Sequence, residues 1–217
     1  MRANAAIITC GDNMHTAIPD DELEVFASLE DVQVVFDVGA RDDVDYLILK
    51  PGIELHAFEP NPQFFKELTE NVKDTSNVYL NNFGLGEKKG HFFYNHSSQL
   101  VTTTPCEEED GVPVRRLDDY VREHKIQRID FLKMDVEGGE LGVLKGAKKT
   151  IPLCRYIQYE ENRDGDKIKK LLIARDFTPF YIGGRNYMCV RKGEKLPAIP
   201  KETREGSLTE KSKKNYL

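Results

Sequence analysis

The fold is decided by one stretch of sequence, Val34-Val35-Phe36-Asp37-Val38-Gly39-Ala40-Arg41. Its first five residues are apolar except for Asp37, and a glycine follows them directly. This composition predicts a buried strand that ends in a tight turn. In an open α/β sheet, ligands bind at the carboxyl ends of the strands, where glycine lets the backbone approach them closely. We therefore expect a ligand to lie over Gly39.

The composition is that of an ordinary soluble globular domain. The chain has 217 residues, a net charge of −6, 39% hydrophobic residues and 31% charged residues. This length supports one α/β domain, and the charge gives no general attraction to nucleic acid. No apolar run approaches the ~18 residues of a membrane helix, and residues 1–8 are too short for a signal peptide. Widely spaced cysteines suit a reducing compartment, so we expect a cytoplasmic protein without a membrane partner: Cys10, Cys106, Cys154 and Cys189.

Predicted strands and helices alternate along most of the chain. The apolar patterns predict strands over residues 33–38, 53–58, 78–82, 129–134 and 156–159, with helices over 19–30, 43–50, 62–73, 117–124, 141–147 and 164–174. Two final strands, 178–182 and 187–191, flank Gly183-Gly184 and predict an antiparallel hairpin. The pattern indicates a doubly wound α/β sheet with this hairpin at one edge.

Two regions fall outside this alternation. Residues 95–112 are polar and predict an irregular loop, either a substrate lid or a solvated insertion. From Lys192 onward there is no apolar period, and seven Lys or Arg stand against four Glu. We therefore expect a single domain over residues 1–191 and a flexible basic tail over residues 192–217.

A second acidic residue, Glu59, ends the next predicted strand about twenty residues after Asp37. This spacing matches an adenosine site, in which the acid accepts hydrogen bonds from the ribose hydroxyls. The three-glycine loop of dinucleotide sites is missing, because Gly39 is followed by Ala40-Arg41-Asp42-Asp43. Two aspartates would repel a pyrophosphate. S-adenosylmethionine, a sulfonium cation without phosphate, therefore fits this turn better than NAD.

Three carboxylates follow the predicted strand 129–134, in the segment Asp135-Val136-Glu137-Gly138-Gly139-Glu140. This strand should lie beside the first one, so its acids should face the same crevice. Asp135 and Glu137 could orient the amino group of a methionine, act as a general base, or hold a divalent metal together with Glu160. For Glu140 we favour a simpler place in the first turn of a helix, where acid is stabilised.

These motifs together resemble the FkbM family of S-adenosylmethionine-dependent methyltransferases. The resemblance runs over about residues 33–161 and is most specific in Lys133-Met134-Asp135-Val136-Glu137-Gly138. It is carried in order by Phe36-Asp37-Val38-Gly39-Ala40, Phe58-Glu59-Pro60-Asn61, Leu117-Asp118-Asp119-Tyr120, Ile129 to Leu141 and Leu144-Lys145-Gly146-Ala147.

The resemblance implies a fold, a reaction and a set of site residues. The fold would be the Rossmann-like class I methyltransferase fold, with a seven-stranded, mostly parallel sheet. The reaction would be O-methylation of a hydroxyl on a carbohydrate or another small acceptor. We assign Asp135 and Glu137 as candidate catalytic residues and predict no metal ligand. The expected cofactor contacts are Asp37, Gly39, Ala40, Arg41, Glu59, Pro60, Asn82 and Asp135.

One departure from the family pattern leaves alternatives open. The family usually continues its first motif as Ala-Asn-x-Gly, whereas this chain has Ala40-Arg41-Asp42-Asp43. Arg41 could pair with the carboxylate of the cofactor, or the change could mark a catalytically inactive binding or scaffold protein. His96, in the irregular loop, is an alternative base, and an NAD-dependent sugar enzyme is a further alternative. The sequence does not define the oligomeric state.

Overall fold

A computed structural model describes residues 20–94, 101–106 and 111–199. The strands within these ranges are β1 Val34–Val38, β2 Glu54–Phe58, β3 Val78–Asn81, β4 Gly84–Leu85, β5 Gly90–Tyr94, β6 Val101–Cys106, β7 Val112–Arg115, β8 Ile129–Met134, β9 Cys154–Glu160, β10 Phe177–Gly183 and β11 Asn186–Arg191. The helices are α1 Asp20–Ala27, α2 Asp45–Leu49, α3 Pro62–Asn71, α4 Leu117–Glu123, α5 Glu140–Lys145 and α6 Gly165–Ile173. Among the described helices, none is long and apolar enough to cross a bilayer.

A seven-stranded sheet forms the centre of the molecule, in the order β3-β2-β1-β8-β9-β11-β10. The strands from β3 to β9 pair in parallel, while β11 runs antiparallel to both β9 and β10. This arrangement confirms the predicted class I fold and its antiparallel edge hairpin. The strand order reverses between β1 and β8, so the crevice between their carboxyl ends is the topological switch point where such folds bind ligands.

The central strands of the sheet are mostly hydrophobic in sequence because apolar side chains pack on both of its faces. All six residues of β8 are buried, and so are four of the five in β1. On one face, Val35 and Phe131 join a cluster with residues of α1 and α2. On the other face, Phe36 and Leu132 pack in a cluster with residues of α4, α5 and α6. Burial on both faces holds the tips of β1 and β8 in fixed positions.

A second, four-stranded sheet flanks the central one, in the order β4-β7-β5-β6. It contradicts the predicted irregular loop over residues 101–106, since these residues form β6 and pair antiparallel with β5. The run Val101-Thr102-Thr103-Thr104 is polar, but β-branched side chains favour strands when they pair with a neighbour. Residues 95–100 and 107–110, and with them His96, lie outside the described residues.

The start of the predicted flexible tail packs on the domain. Ile199 is buried in the same apolar cluster as residues of α1. The Tyr156 hydroxyl donates to the Lys195 carbonyl at 2.8 Å, and the Ala198 amide donates to Ser28 Oγ at 2.9 Å. The flexible tail therefore does not begin at Lys192, because apolar residues within this charged segment reach the core. Residues 200–217 lie outside the described part of the chain.

The second sheet meets α5 at a glycine, which yields a stability prediction. A Cβ atom at Gly146 would lie 2.0 Å from the Gly86 carbonyl oxygen, whereas one at Gly142 would be 3.9 Å from its nearest neighbour. We expect Gly146→Ala to lower the free energy of unfolding by about 1–3 kcal/mol through overpacking. Gly142→Ala, in the same helix, should be neutral or stabilising. Urea denaturation measures both, and equal stability of the two variants would contradict the contact.

Candidate active site

The turn after β1 is shaped by contact with the tip of β8. Gly39 has φ +88°, and a Cβ atom there would lie 1.9 Å from the carbonyl oxygen of Asp135. The Asp135 amide in turn donates to the Val38 carbonyl at 2.9 Å. Glycine is therefore required at position 39 because another strand tip, rather than only a ligand, approaches its backbone.

The carboxylate of Glu59 is fixed at the tip of β2 by two backbone amides. Its Oε2 accepts from the Arg41 amide at 2.8 Å, and its Oε1 accepts from the Asn61 amide at 2.7 Å. Glu59 is only 4% exposed; burial raises its pKa, although the Asn61 and Arg41 amides oppose this shift. Each carboxylate oxygen keeps a further lone pair, so Glu59 can still accept hydrogen bonds from a ligand.

Arg41 lies at the entrance to the same crevice in an unusual backbone conformation. Its φ is +51°, and its amide donates to Glu59 Oε2. Its guanidinium lies over the ring of Phe64, 4.8 Å from the ring centroid. A cation held on an aromatic face remains available to an anionic group of a ligand.

A cavity of about 440 Å³ opens between these strand tips and the second sheet. Such a volume is within the usual range for small-molecule sites. Its apolar wall includes Phe58, Leu85, Phe92, Val114 and Val136. Six of the predicted site residues line it together: Gly39, Arg41, Glu59, Pro60, Asp135 and Glu137.

The three other predicted contacts do not line the cavity. Asn82 Nδ2 donates to the Glu59 carbonyl at 2.8 Å and so supports the β2 tip, while Ala40 is buried among apolar side chains. Asp37 is 1% exposed, and its Oδ1 lies 3.3 Å from Lys133 Nζ. Burial raises the pKa of Asp37 to about 6, which the charge of Lys133 partly opposes. Direct contact of these three residues with a cofactor stays a prediction.

Three carboxylates converge at the β8 end of the cavity. One oxygen from each of Asp135, Glu137 and Glu160 lies within 4.8 Å of the others. The pKa of Glu137 is raised, first by the partial loss of hydration beside the cavity and then by the charges of Asp135 and Glu160. Glu160 is engaged at both oxygens, because Arg185 pairs with its Oε1 and Asn162 Nδ2 donates to its Oε2 at 2.9 Å. This leaves Asp135 and Glu137 as the carboxylates that face the cavity.

Glu140 has the structural role that its position predicted. It is the first residue of α5, and its side chain is buried. Its Oε1 accepts from the Val136 amide at 3.2 Å and the Gly138 amide at 3.1 Å. Glu140 therefore holds the turn that presents Glu137, which itself has φ +52°.

Three polar residues near this end of the cavity are not indicated as site residues by the sequence patterns. Lys133 lies inside β8, Gln158 lies inside β9, and Glu22 approaches from α1, all of them buried. Gln158 Nε2 donates to Glu22 Oε2 at 2.9 Å. The sequence does contain a signal for Lys133 and Gln158. Each is a charged or amide side chain at an inward position of an otherwise apolar strand, and a polar side chain buried there requires a partner.

Comparison with known proteins identifies the family of this domain and supports its fold. Residues 37–180 match the methyltransferase FkbM domain. The 2-O-methyltransferase NoeI of Sinorhizobium fredii is 27% identical over 58% of this chain and 62% of its own length. The hexuronic acid methyltransferase AglP of Haloferax volcanii is 28% identical over 66% of this chain and 62% of its own length. The chain thus spans less than two thirds of each relative.

Solved structures support the fold. An O-methyltransferase from Bacillus cereus, in complex with S-adenosylhomocysteine, superposes with a TM-score of 0.51 at 14% identity, covering 83% of this chain and 84% of that one. The fold is thus that of class I methyltransferases. The chain belongs to the FkbM methyltransferase domain family, which uses S-adenosylmethionine. This membership confirms the resemblance drawn from the sequence motifs.

Proposed function

We propose that this protein is an S-adenosylmethionine-dependent O-methyltransferase that acts on a hydroxyl of a carbohydrate or another small hydroxylated acceptor. The observation that carries the proposal is one cavity with Glu59 fixed at one end and Asp135 and Glu137 at the other. Glu59, which would accept hydrogen bonds from the ribose, therefore lies on one side of Gly39. The candidate proton acceptors, Asp135 and Glu137, lie on the other side. The name of AglP, a hexuronic acid methyltransferase, supports a carbohydrate acceptor.

The cofactor half of the cavity fits a nucleoside. The free lone pairs of Glu59 suit the two ribose hydroxyls, and the apolar wall at Phe58, Leu85 and Val136 suits an adenine ring. Arg41, held over Phe64, is placed to meet the cofactor carboxylate. When bound, S-adenosylmethionine supplies a methyl group whose S–C bond breaks with its electron pair left on sulfur, while the new C–O bond forms on the acceptor.

The acceptor half requires a group that takes up one proton. As the acceptor oxygen gains the methyl group, it loses its hydrogen, and Asp135 or Glu137 can accept that proton. Both carboxylates line the cavity, so an acceptor hydroxyl held there lies within their reach. The reaction that we propose is therefore acid–base in character.

The class of acceptor and the cellular location of the reaction are also part of this proposal. The net charge of −6 argues for a small acceptor rather than a nucleic acid. Cys154 and Cys189 are buried free thiols, which suits the cytoplasmic location that we propose.

Replacing Glu59 tests the cofactor half. We expect Glu59→Ala to weaken the binding of S-adenosylhomocysteine about 5- to 150-fold, because a loss of about 1–3 kcal/mol follows the removal of a charged acceptor. Isothermal titration calorimetry measures the affinity, and thermal denaturation shows whether the β2 tip remains folded. Glu67→Ala, on the exposed side of α3, is the control and should bind normally. Unchanged affinity in Glu59→Ala would mean that the ribose lies elsewhere.

A panel of neutral sugars, sugar acids and small alcohols tests the acceptor half. The proposal predicts formation of S-adenosylhomocysteine with at least one hydroxylated acceptor. Cofactor binding without turnover on any acceptor would instead favour the non-catalytic binding protein.

A further inference from the structure

Lys88 is a cation that lines the cavity without a partner among the described residues. It lies in the turn between β4 and β5, on the second sheet. Its ammonium group forms no ion pair with residues 20–94, 101–106 or 111–199. The neighbouring acid, Glu87, pairs instead with Lys145 of α5, at 3.5 Å. The charge of Lys88 is therefore available to a ligand.

The other charges that line the cavity can be matched with groups of the cofactor. S-adenosylmethionine brings a carboxylate, which suits Arg41, and an ammonium group, which suits Asp135 or Glu137. The carboxylate that remains takes the proton of the acceptor. Glu59 is engaged by two amides and would meet the ribose. Among the described residues that line the cavity, Lys88 is then the cation for which the cofactor has no counterpart, so an anion on the acceptor would complement it.

The chain crosses the roof of the cavity as it approaches Lys88. At the start of β4, a Cβ atom on Gly84 would lie 3.8 Å from Cβ of Pro60, beside the β2 tip. Three residues later, the amide nitrogen of Glu87 lies 3.9 Å from the place of a Cβ atom on Gly142 of α5. This helix directly follows the carboxylates at the β8 tip. The roof therefore runs from the cofactor end to the acceptor end, where Lys88 follows.

The strand after Lys88 adds an aromatic ring to the cavity wall. Phe92 on β5 lines the cavity and is partly exposed. Val114 on β7, which is paired in register with Gly90, extends this apolar surface. A sugar ring has a face of C–H groups that can pack on an aromatic ring, while its polar substituents point to its edges. The second sheet thus offers both an apolar surface and a cation to an acceptor.

We propose that Lys88 determines acceptor specificity by selecting a sugar that carries an anionic group. The inference rests on the proposed function and deepens it, because it names the class of acceptor. Lys88 pairs with the anionic group while the hydroxyl to be methylated lies near Asp135 and Glu137. A lysine is a compact point charge, so it accepts a carboxylate or a phosphate. It also offsets the repulsion that two acids exert on an anionic sugar.

Binding of sugars to the complex with S-adenosylhomocysteine tests this selection without methylation. In calorimetry with glucuronate, glucose-6-phosphate and glucose, at least one anionic sugar should bind about tenfold more tightly than glucose, and the tighter of the two identifies the anionic group. Lys88→Gln should remove this advantage, whereas Lys88→Arg should keep most of it. Lys89→Gln is the matched control, because Lys89 is exposed but does not line the cavity. It should bind all three sugars normally.

Equal binding of glucose and both anionic sugars would overturn the proposal. An equal loss in Lys88→Gln and Lys89→Gln would also overturn it, since general surface charge would then be the cause.

Steady-state kinetics gives a second measure. Lys88→Gln should raise KM for the anionic acceptor about tenfold and change kcat by less than about twofold, because the lost contact serves binding rather than chemistry. Methylation of glucose but of neither anionic sugar would overturn the proposal and leave the proposed function standing. If no sugar is methylated, the proposed function fails, while the calorimetry still decides whether Lys88 selects an anionic sugar.

Discussion

Gly39→Ala is expected to lose about 3 kcal/mol or more of stability, and with it the binding of S-adenosylhomocysteine. The left-handed backbone at φ +88° alone costs an alanine about 1–2 kcal/mol. The new Cβ would also lie 1.9 Å from the Asp135 carbonyl oxygen, and no side-chain rotation relieves overlap with a backbone atom. The tips of β1 and β8 must therefore separate, which widens the site between them. Urea denaturation and calorimetry measure the two losses.

Gly52→Ala separates the two causes. Gly52 has a similar φ of +91°, but a Cβ atom there would meet nothing within 4 Å. The free energy of unfolding of Gly52→Ala should therefore fall only by the backbone strain, about 1–2 kcal/mol, and this variant should bind the cofactor normally. If Gly39→Ala proved no less stable than Gly52→Ala, the close approach of the two strand tips would be refuted.

Asp135→Asn is expected to lower kcat about 100-fold or more, and this loss should exceed the loss of affinity for S-adenosylhomocysteine that removal of a cofactor contact brings. Removing a positioned general base typically costs 10²–10⁴ in rate. The contact of residue 135 with Gly39 is made by the backbone, so asparagine preserves the strand tips. Steady-state assay of S-adenosylhomocysteine formation gives the rate, and calorimetry gives the affinity.

Glu137→Gln distinguishes the two candidate bases. Glu137 also lines the cavity, but its side chain is exposed and therefore better solvated. We expect less than about a tenfold loss of kcat in this variant, because an exposed carboxylate is readily replaced by water. A large loss in Glu137→Gln with little change in Asp135→Asn would transfer the role of base to Glu137.

The strands that position the site could be predicted because the apolar pattern of each strand indicates that it is buried. The runs Val34–Val38 and Ile129–Met134 are mostly apolar since both faces of the central sheet are covered. Their adjacency follows from the topology of doubly wound sheets. Glu59 was also predictable, because an acid at the second strand tip has a known relation to the first.

Strand β6 of the second sheet could not be predicted, because it depends on pairing rather than on apolar period. The threonine run in β6 is polar, and pairing with β5 decides its conformation. The contact of Glu22 with Gln158 joins positions 136 residues apart, so no local pattern indicates it. Asp37 was assigned to the ligand from its place at a strand tip. Its orientation toward Lys133 depends on which face of the sheet it occupies.

A crystal structure of the protein with S-adenosylhomocysteine would locate the cofactor site. We expect density for the nucleoside in the cavity over Gly39, with both ribose hydroxyls within hydrogen-bonding distance of Glu59. We also expect the thioether sulfur to face Asp135, where the methyl group would meet an acceptor. A nucleoside bound outside this cavity, or one whose ribose does not touch Glu59, would refute the assigned cofactor site.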